Sequence, residues 1–155
     1  MKNKLISIIL IIFPSVIGFS SYLITCKNMD LYTTITKPPL SPPPMVFMIA
    51  WTILYILMGI AVAMYFSKRD KANITAGMIS FFVQLALNFV WSIIFFNQRN
   101  FLLALVCLIA LWLVVIYMTT EYLKVSRWAG ILSIPYICWL SFAAYLNLAV
   151  YLMNV

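Results

Sequence analysis

The chain has 155 residues, 66% of them hydrophobic and 8% charged, with a formal net charge of +7. A soluble domain averages about 25% charged residues, so this composition excludes an ordinary water-soluble globule and makes lipid the natural solvent. Histidine is absent and the only acids are Asp30, Asp70 and Glu121, which leaves no histidine or carboxylate pair for general acid–base catalysis.

Uncharged apolar windows of about 20 residues mark spanning helices. Five occur, at Leu5–Thr25, Pro44–Phe66, Ala72–Phe96, Phe101–Thr120 and Trp128–Met153, and the fourth helix is expected to run on to about residue 122. The expectation is one all-α membrane domain over 1–155. Its five transmembrane helices form a bundle, with a long proline-rich loop, 26–43, between the first two. Lys2 and Lys4 before the first window imitate a signal peptide, but the apolar core is too long and no small-x-small cleavage site follows, so a retained helix is expected.

The basic excess follows from topology. Lys2, Lys4, Lys68, Arg69, Lys71, Lys124 and Arg127 would share one side of the membrane, and Lys27, Lys37 and Arg99 the other. Such asymmetry puts the N-terminus in the cytoplasm and the C-terminus outside a cell membrane, with no need of nucleic acid. Cys26, Cys107 and Cys138 form no C-x-x-C pair, so neither a zinc site nor a disulfide framework is indicated. Cys107 and Cys138 read as buried structural thiols.

In the first span Pro14 and Gly18 are a turn apart, and Ser20, Ser21 and Thr25 follow. Small and hydroxyl residues there make a packing seam or a ligand face. The loop then carries five prolines among residues 38–44. Each fixes φ and removes a backbone donor, so the stretch cannot be helix until Pro44, where a first-turn proline costs nothing. We read the loop as an ordered lid. In the second span Phe47, Trp51, Tyr55 and Met58 fall within about a quarter of the circumference, and Gly59 with Ala63 makes a small-xxx-small pair.

The third span is the most informative. Gln84, Asn88, Trp91 and Ser92 share a sector of about 100°. Amides are costly against lipid, so that sector must face protein or a cavity. Asn88 is either a helix–helix hydrogen-bonding group or a ligand contact. Ala76 and Ser80 lie on another sector and could meet another helix. In the fourth span are Cys107, Trp112 and Tyr117, with Glu121 within reach of Lys124 or Arg127. In the fifth, Tyr136, Trp139, Ala143, Leu146 and Asn147 share a sector, so that Trp51 and Trp139 can face each other across the bundle.

No ionisable group lies inside a span, which disfavours a coupled pump. Five Trp, nine Tyr and eleven Phe remain. Trp51 and Trp139 with Asn88 and a proline lid suit a pocket for a large, flat, mostly apolar ligand, oriented by few polar contacts.

These residues carry a resemblance. Lys37-Pro38-Pro39, Pro42-Pro43, Phe47, Trp51-Thr52, Leu54-Tyr55 and Met58-Gly59, then Leu87-Asn88-Phe89-Val90-Trp91-Ser92 with Phe95-Phe96, then Pro135-Tyr136, Trp139, Phe142-Ala143 and Leu146-Asn147 resemble three signatures of one family. It is the tryptophan-rich sensory protein / translocator protein family, also called the peripheral benzodiazepine receptor family, and the chain looks like a bacterial member. The resemblance implies a five-helix protein, commonly a homodimer; no cofactor is expected to be required, and no metal site is expected. Its expected ligands are porphyrins and other tetrapyrroles, and isoquinoline-carboxamide or benzodiazepine-type drugs. Some members are implicated in light- and oxygen-dependent breakdown of protoporphyrin IX. By motif match the reactive tryptophans would be Trp51 and Trp139, and the ligand-binding residues Tyr32, Pro42, Phe47, Trp51, Asn88, Trp91, Ser92, Cys107, Trp139, Ala143 and Leu146. Two departures stand out. Leu40 occupies a position that is often aromatic, and nothing basic follows Tyr151, where the sterol motif of animal members needs Lys or Arg. Three readings follow: a tetrapyrrole-binding sensor, a photo-oxidative enzyme without acid–base or metal site, and a passive transporter.

Overall fold

The computed structural model describes the backbone of residues 2–154 except residue 29, and their side chains except those of 2, 3, 32 and 33. Among the described residues there are five long α-helices and a short one, and no strand. They are α1 (Lys2–Thr25), α2 (Leu31–Thr34), α3 (Pro44–Phe66), α4 (Thr75–Ser92), α5 (Phe101–Val125) and α6 (Arg127–Met153). All but α2 are long and apolar enough to cross a membrane, α4 with the π-helical turn Ile93–Asn97 that extends it. At 1.5 Å per residue the 23 residues of α3 reach about 35 Å, against a hydrocarbon core of about 30 Å.

The helix ends follow local chemistry. α3 begins at Pro44, directly after Pro43, whose ψ of 152° is extended. α4 begins at Thr75, later than the apolar window that starts at Ala72, because the Asn73 side chain accepts the Thr75 N–H at 3.0 Å and holds the chain in a turn. Asn100 caps α5 by accepting the Leu103 N–H at 3.0 Å. Arg99, just before it, takes the left-handed φ of 54° that reverses the chain. Near the end of α5, Lys124 pairs with Glu121.

The helices pack in a ring. α1 lies on α3, α3 on α6, α6 on α5 and α5 on α4, while α4 closes the ring on α1. The consecutive helices α3 and α4 barely touch. The bundle is apolar outside and its core is mostly apolar too, with a few polar side chains buried within it. Ile8, Ile53, Val106 and Leu113 are exposed, whereas Gln84, Asn88 and Asn147 are buried, the distribution expected when the solvent is lipid.

Two glycines let α1 approach α3. A Cβ on Gly59 would collide with the Ile11 backbone carbonyl, and one on Gly18 with the Tyr55 ring. Cys138 departs from the expectation of a buried thiol: it is exposed. It lies about 200° around α6 from the buried Tyr136, so it faces outward. Cys107 is half-buried.

The segment between α1 and α3 carries two helical turns, Cys26–Asn28 and α2. It is held by asparagines near its start and near its middle. The Asn28 amide donates to the Asn97 side chain at 2.8 Å. Asn154 clasps the backbone of Thr36, accepting its N–H at 2.9 Å and donating to its carbonyl at 3.0 Å. These contacts gather 26–43, the α4–α5 turn and the end of α6 at one end of the bundle.

Candidate functional site: an aromatic centre between α3, α4 and α6

The inward faces of α3, α4 and α6 meet at Trp51. Its ring stacks on Tyr55, one helical turn away, at 5.6 Å between centroids. Across the bundle it meets Trp91 at 6.4 Å, Tyr136 at 6.1 Å and Trp139 at 6.4 Å. Phe47, a turn above Trp51, presses edge-on against Trp139 at 5.5 Å. Four positions of α3 spaced by a turn each, Phe47, Trp51, Tyr55 and Met58, thus reach α4 or α6 side chains.

Beneath the rings runs a neutral hydrogen-bonded string. The Tyr55 hydroxyl donates to Asn88 Oδ1 at 2.9 Å, and Asn88 Nδ2 donates to the Tyr136 hydroxyl at 3.0 Å. Tyr136 donates in turn to Gln84 Oε1 at 3.0 Å, and Gln84 Nε2 points at Met58 Sδ, 3.7 Å away. Trp91 donates its indole N–H to Asn147 Oδ1 at 3.1 Å, and Asn147 donates to the Phe101 carbonyl at 2.9 Å. Of the two readings of Asn88, the helix–helix bond is the one made here: it ties α4 to both α3 and α6. In a bundle surrounded by lipid these groups can satisfy one another only across helices.

Of the residues expected in the site, Phe47, Trp51, Asn88, Trp91 and Trp139 are joined by these contacts. Ser92 is half-buried and bonds back to the Asn88 carbonyl of its own helix at 3.2 Å. Ala143 and Leu146 are buried on α6. Cys107, on α5, aims its thiol at the Leu87 carbonyl of α4 at 3.5 Å. Pro42 is half-buried in the segment before α3. The Tyr32 side chain lies outside the described residues. Tyr55, Gln84 and Tyr136 were absent from the expected ligand set, yet they make the polar string. Their sectors were visible in the sequence, and the cost of an amide against lipid was the signal.

The Trp51 and Trp139 rings are in direct edge-to-face contact, their planes at 85°. A centroid separation of 6.4 Å is contact distance for two rings and leaves no space for a third between them. Two cavities lie elsewhere. One, of about 290 Å³, is a groove on the outer face of α4 and α5 lined by Ile79, Ser80, Val83, Leu113, Val114 and Tyr117. The other, of about 410 Å³, sits between the α4–α5 turn and the end of α6, beside Arg99 and Asn154. No cluster of three or more potential metal ligands occurs among the described residues.

Residues 7–152 match the TspO/MBR family. Over 140 residues the sequence is 38% identical to a tryptophan-rich protein TspO of Chlorobaculum tepidum, covering 89% of each chain. It is 39% identical over 152 residues to a protein of the same name from Archaeoglobus fulgidus, covering 97% of each. With the human translocator protein it shares 33% identity over 132 residues, 83% of this chain and 77% of that one.

Proposed function

Since the chain belongs to the TspO/MBR family, a membership that with five membrane-crossing helices supports a multi-pass membrane role in ligand binding or transport, we propose that it binds tetrapyrroles of the protoporphyrin type at the aromatic centre. The observation that carries this reading is the contact of Trp51 with four other rings from three helices. Rings already in mutual contact are a surface that a flat macrocycle can replace ring for ring. The macrocycle enters by parting Trp51 from Trp139. The same exchange suits isoquinoline-carboxamide and benzodiazepine-type ligands, which are smaller and equally flat. The bound porphyrin is then degraded in light and oxygen, with Trp51 and Trp139 as the participating indoles.

A second reading is passive carriage across the membrane. It is favoured by the neutrality of the string Tyr55–Asn88–Tyr136–Gln84, which offers no charge to couple. The protein acts as a homodimer through the face of α4 around the half-buried Ala76; Ser80, expected beside it, is buried within the chain. Ala76→Phe is expected to yield monomers by light scattering in detergent.

The test of the main reading is a titration of protoporphyrin IX into purified protein in nanodiscs, followed by quenching of tryptophan fluorescence. Saturable 1:1 quenching that Trp51→Ala weakens at least tenfold is expected. Unsaturable quenching, equal in Trp51→Ala, would remove the site.

A further inference from the structure

The cavity of about 410 Å³ at one end of the bundle lies apart from the aromatic centre. Gln98 and Arg99 of the α4–α5 turn, Phe101 and Leu102 of α5, and Tyr151 of α6 line it. No carboxylate lines it, so nothing in its wall offsets the Arg99 charge. Cations at the other end find partners. Arg69 pairs with Asp70 and lies over the Phe66 ring at 4.4 Å, and Lys124 pairs with Glu121. Arg99 makes no ion pair among the described residues. It also holds a φ of 54°, a region in which Cβ crowds the backbone and which glycine or asparagine adopts at less strain. Strain on a residue with a long cationic side chain points to a use for that side chain.

Depth narrows the choice of ligand. α5 has 25 residues, about 37 Å of helix against a hydrocarbon core of about 30 Å. Its first residue, Phe101, therefore sits near headgroup level, and the cavity with it. The wall has two characters. Arg99, the Gln98 amide and the Tyr151 hydroxyl make it polar, whereas Phe101 and the exposed Leu102 make it apolar. A free anion would use the polar part alone. A phospholipid uses both, with its phosphate on the guanidinium and the start of an acyl chain on Phe101 and Leu102. The fork of a guanidinium matches two phosphate oxygens at once.

We propose that this cavity is a phospholipid site in which Arg99 takes the phosphodiester of a net-anionic headgroup. A zwitterionic headgroup brings its own ammonium to the phosphate, so an uncompensated guanidinium favours a headgroup that lacks one. The site is separate from the tetrapyrrole reading and does not rest on it. Asn154 also lines the cavity and clasps the Thr36 backbone, so the bound lipid sits against an anchor of the 26–43 segment.

The experiment uses the delipidated full chain in a non-ionic detergent. Dioleoyl phosphatidylglycerol or dioleoyl phosphatidylcholine is titrated in, and bound lipid is counted by native mass spectrometry. Wild type should hold one phosphatidylglycerol roughly tenfold more tightly than phosphatidylcholine, the scale of a bidentate charge-assisted contact. Arg99→Gln and Arg99→Gly should both lose that preference. The glycine variant relieves the left-handed backbone, so its loss of binding reports the side chain and not a distorted turn. Lys27→Gln removes a charge from the same end of the bundle but outside the cavity, and should change the preference by less than about twofold. Equal losses in Lys27→Gln and Arg99→Gln would mean diffuse attraction and would overturn the site. So would equal binding of the two lipids by wild type, or an unchanged preference in both Arg99 variants. Inorganic phosphate at the lipid's own concentration should not displace phosphatidylglycerol. Displacement would make this a free-phosphate site and overturn the lipid assignment.

Discussion

Trp51 and Trp139 meet edge to face, 6.4 Å between centroids and 85° between planes, although 88 positions separate them in the sequence. Each indole is within contact of the other and of further rings, Trp91 for Trp51 and Phe47 for Trp139. A ligand seated among them would touch both, and this proximity makes their roles separable by substitution.

Trp→Phe keeps a flat apolar ring and removes the indole, with its easier one-electron oxidation. At saturating protoporphyrin IX under illumination, Trp51→Phe and Trp139→Phe are each expected to abolish product formation while porphyrin remains bound. Porphyrin absorbance and product analysis by mass spectrometry read this out. Wild-type rates in the double variant would remove the chemical role and leave binding alone.

Asn88 bonds Tyr55 on α3 and Tyr136 on α6. Interhelical hydrogen bonds in membranes average about 0.6 kcal/mol, and orphaned buried partners add to the loss. Asn88→Leu should therefore destabilise the fold by about 1–2 kcal/mol, measured by reversible unfolding in mixed micelles. Unaltered stability would show that the Asn88 bonds do not contribute to the stability of the fold.

Gly59 faces the Ile11 carbonyl so closely that a Cβ cannot be placed without moving backbone. Gly59→Ala should push α1 off α3 and cost about 1–3 kcal/mol, the range for overpacking. The same unfolding assay decides it. A neutral Gly59→Ala would mean that α1 shifts freely along α3.

Lys27, Lys37 and Arg99 belong to the end of the bundle where Asn28 meets Asn97, whereas Lys68, Arg69 and Lys71 lie in the α3–α4 connection. The positive-inside rule puts the α3–α4 connection in the cytoplasm. With native cysteines replaced, a single cysteine at Asn28 should react with an impermeant maleimide on intact cells, and one at Asn73 only after lysis. Outside labelling at residue 73 would invert the assignment.

Hydropathy is a local property, so the sequence alone was enough to delimit five membrane-length helices and to sort their basic flanks. The proline run ending at Pro44 marked where α3 begins, since proline constrains its own backbone. The sectors of Gln84, Asn88 and Trp91, and of Tyr136 and Trp139, were legible because helical periodicity is also local. Which sector meets which depended on the rotation and axial register of helices far apart in the chain. Only the tertiary structure decided that α3 packs on α6 and scarcely on α4, that Cys138 faces out, that Asn88 is engaged by two tyrosines, and that the Trp139 N–H is left without an acceptor. Those facts are sums over neighbours from several helices, and no window of sequence contains them.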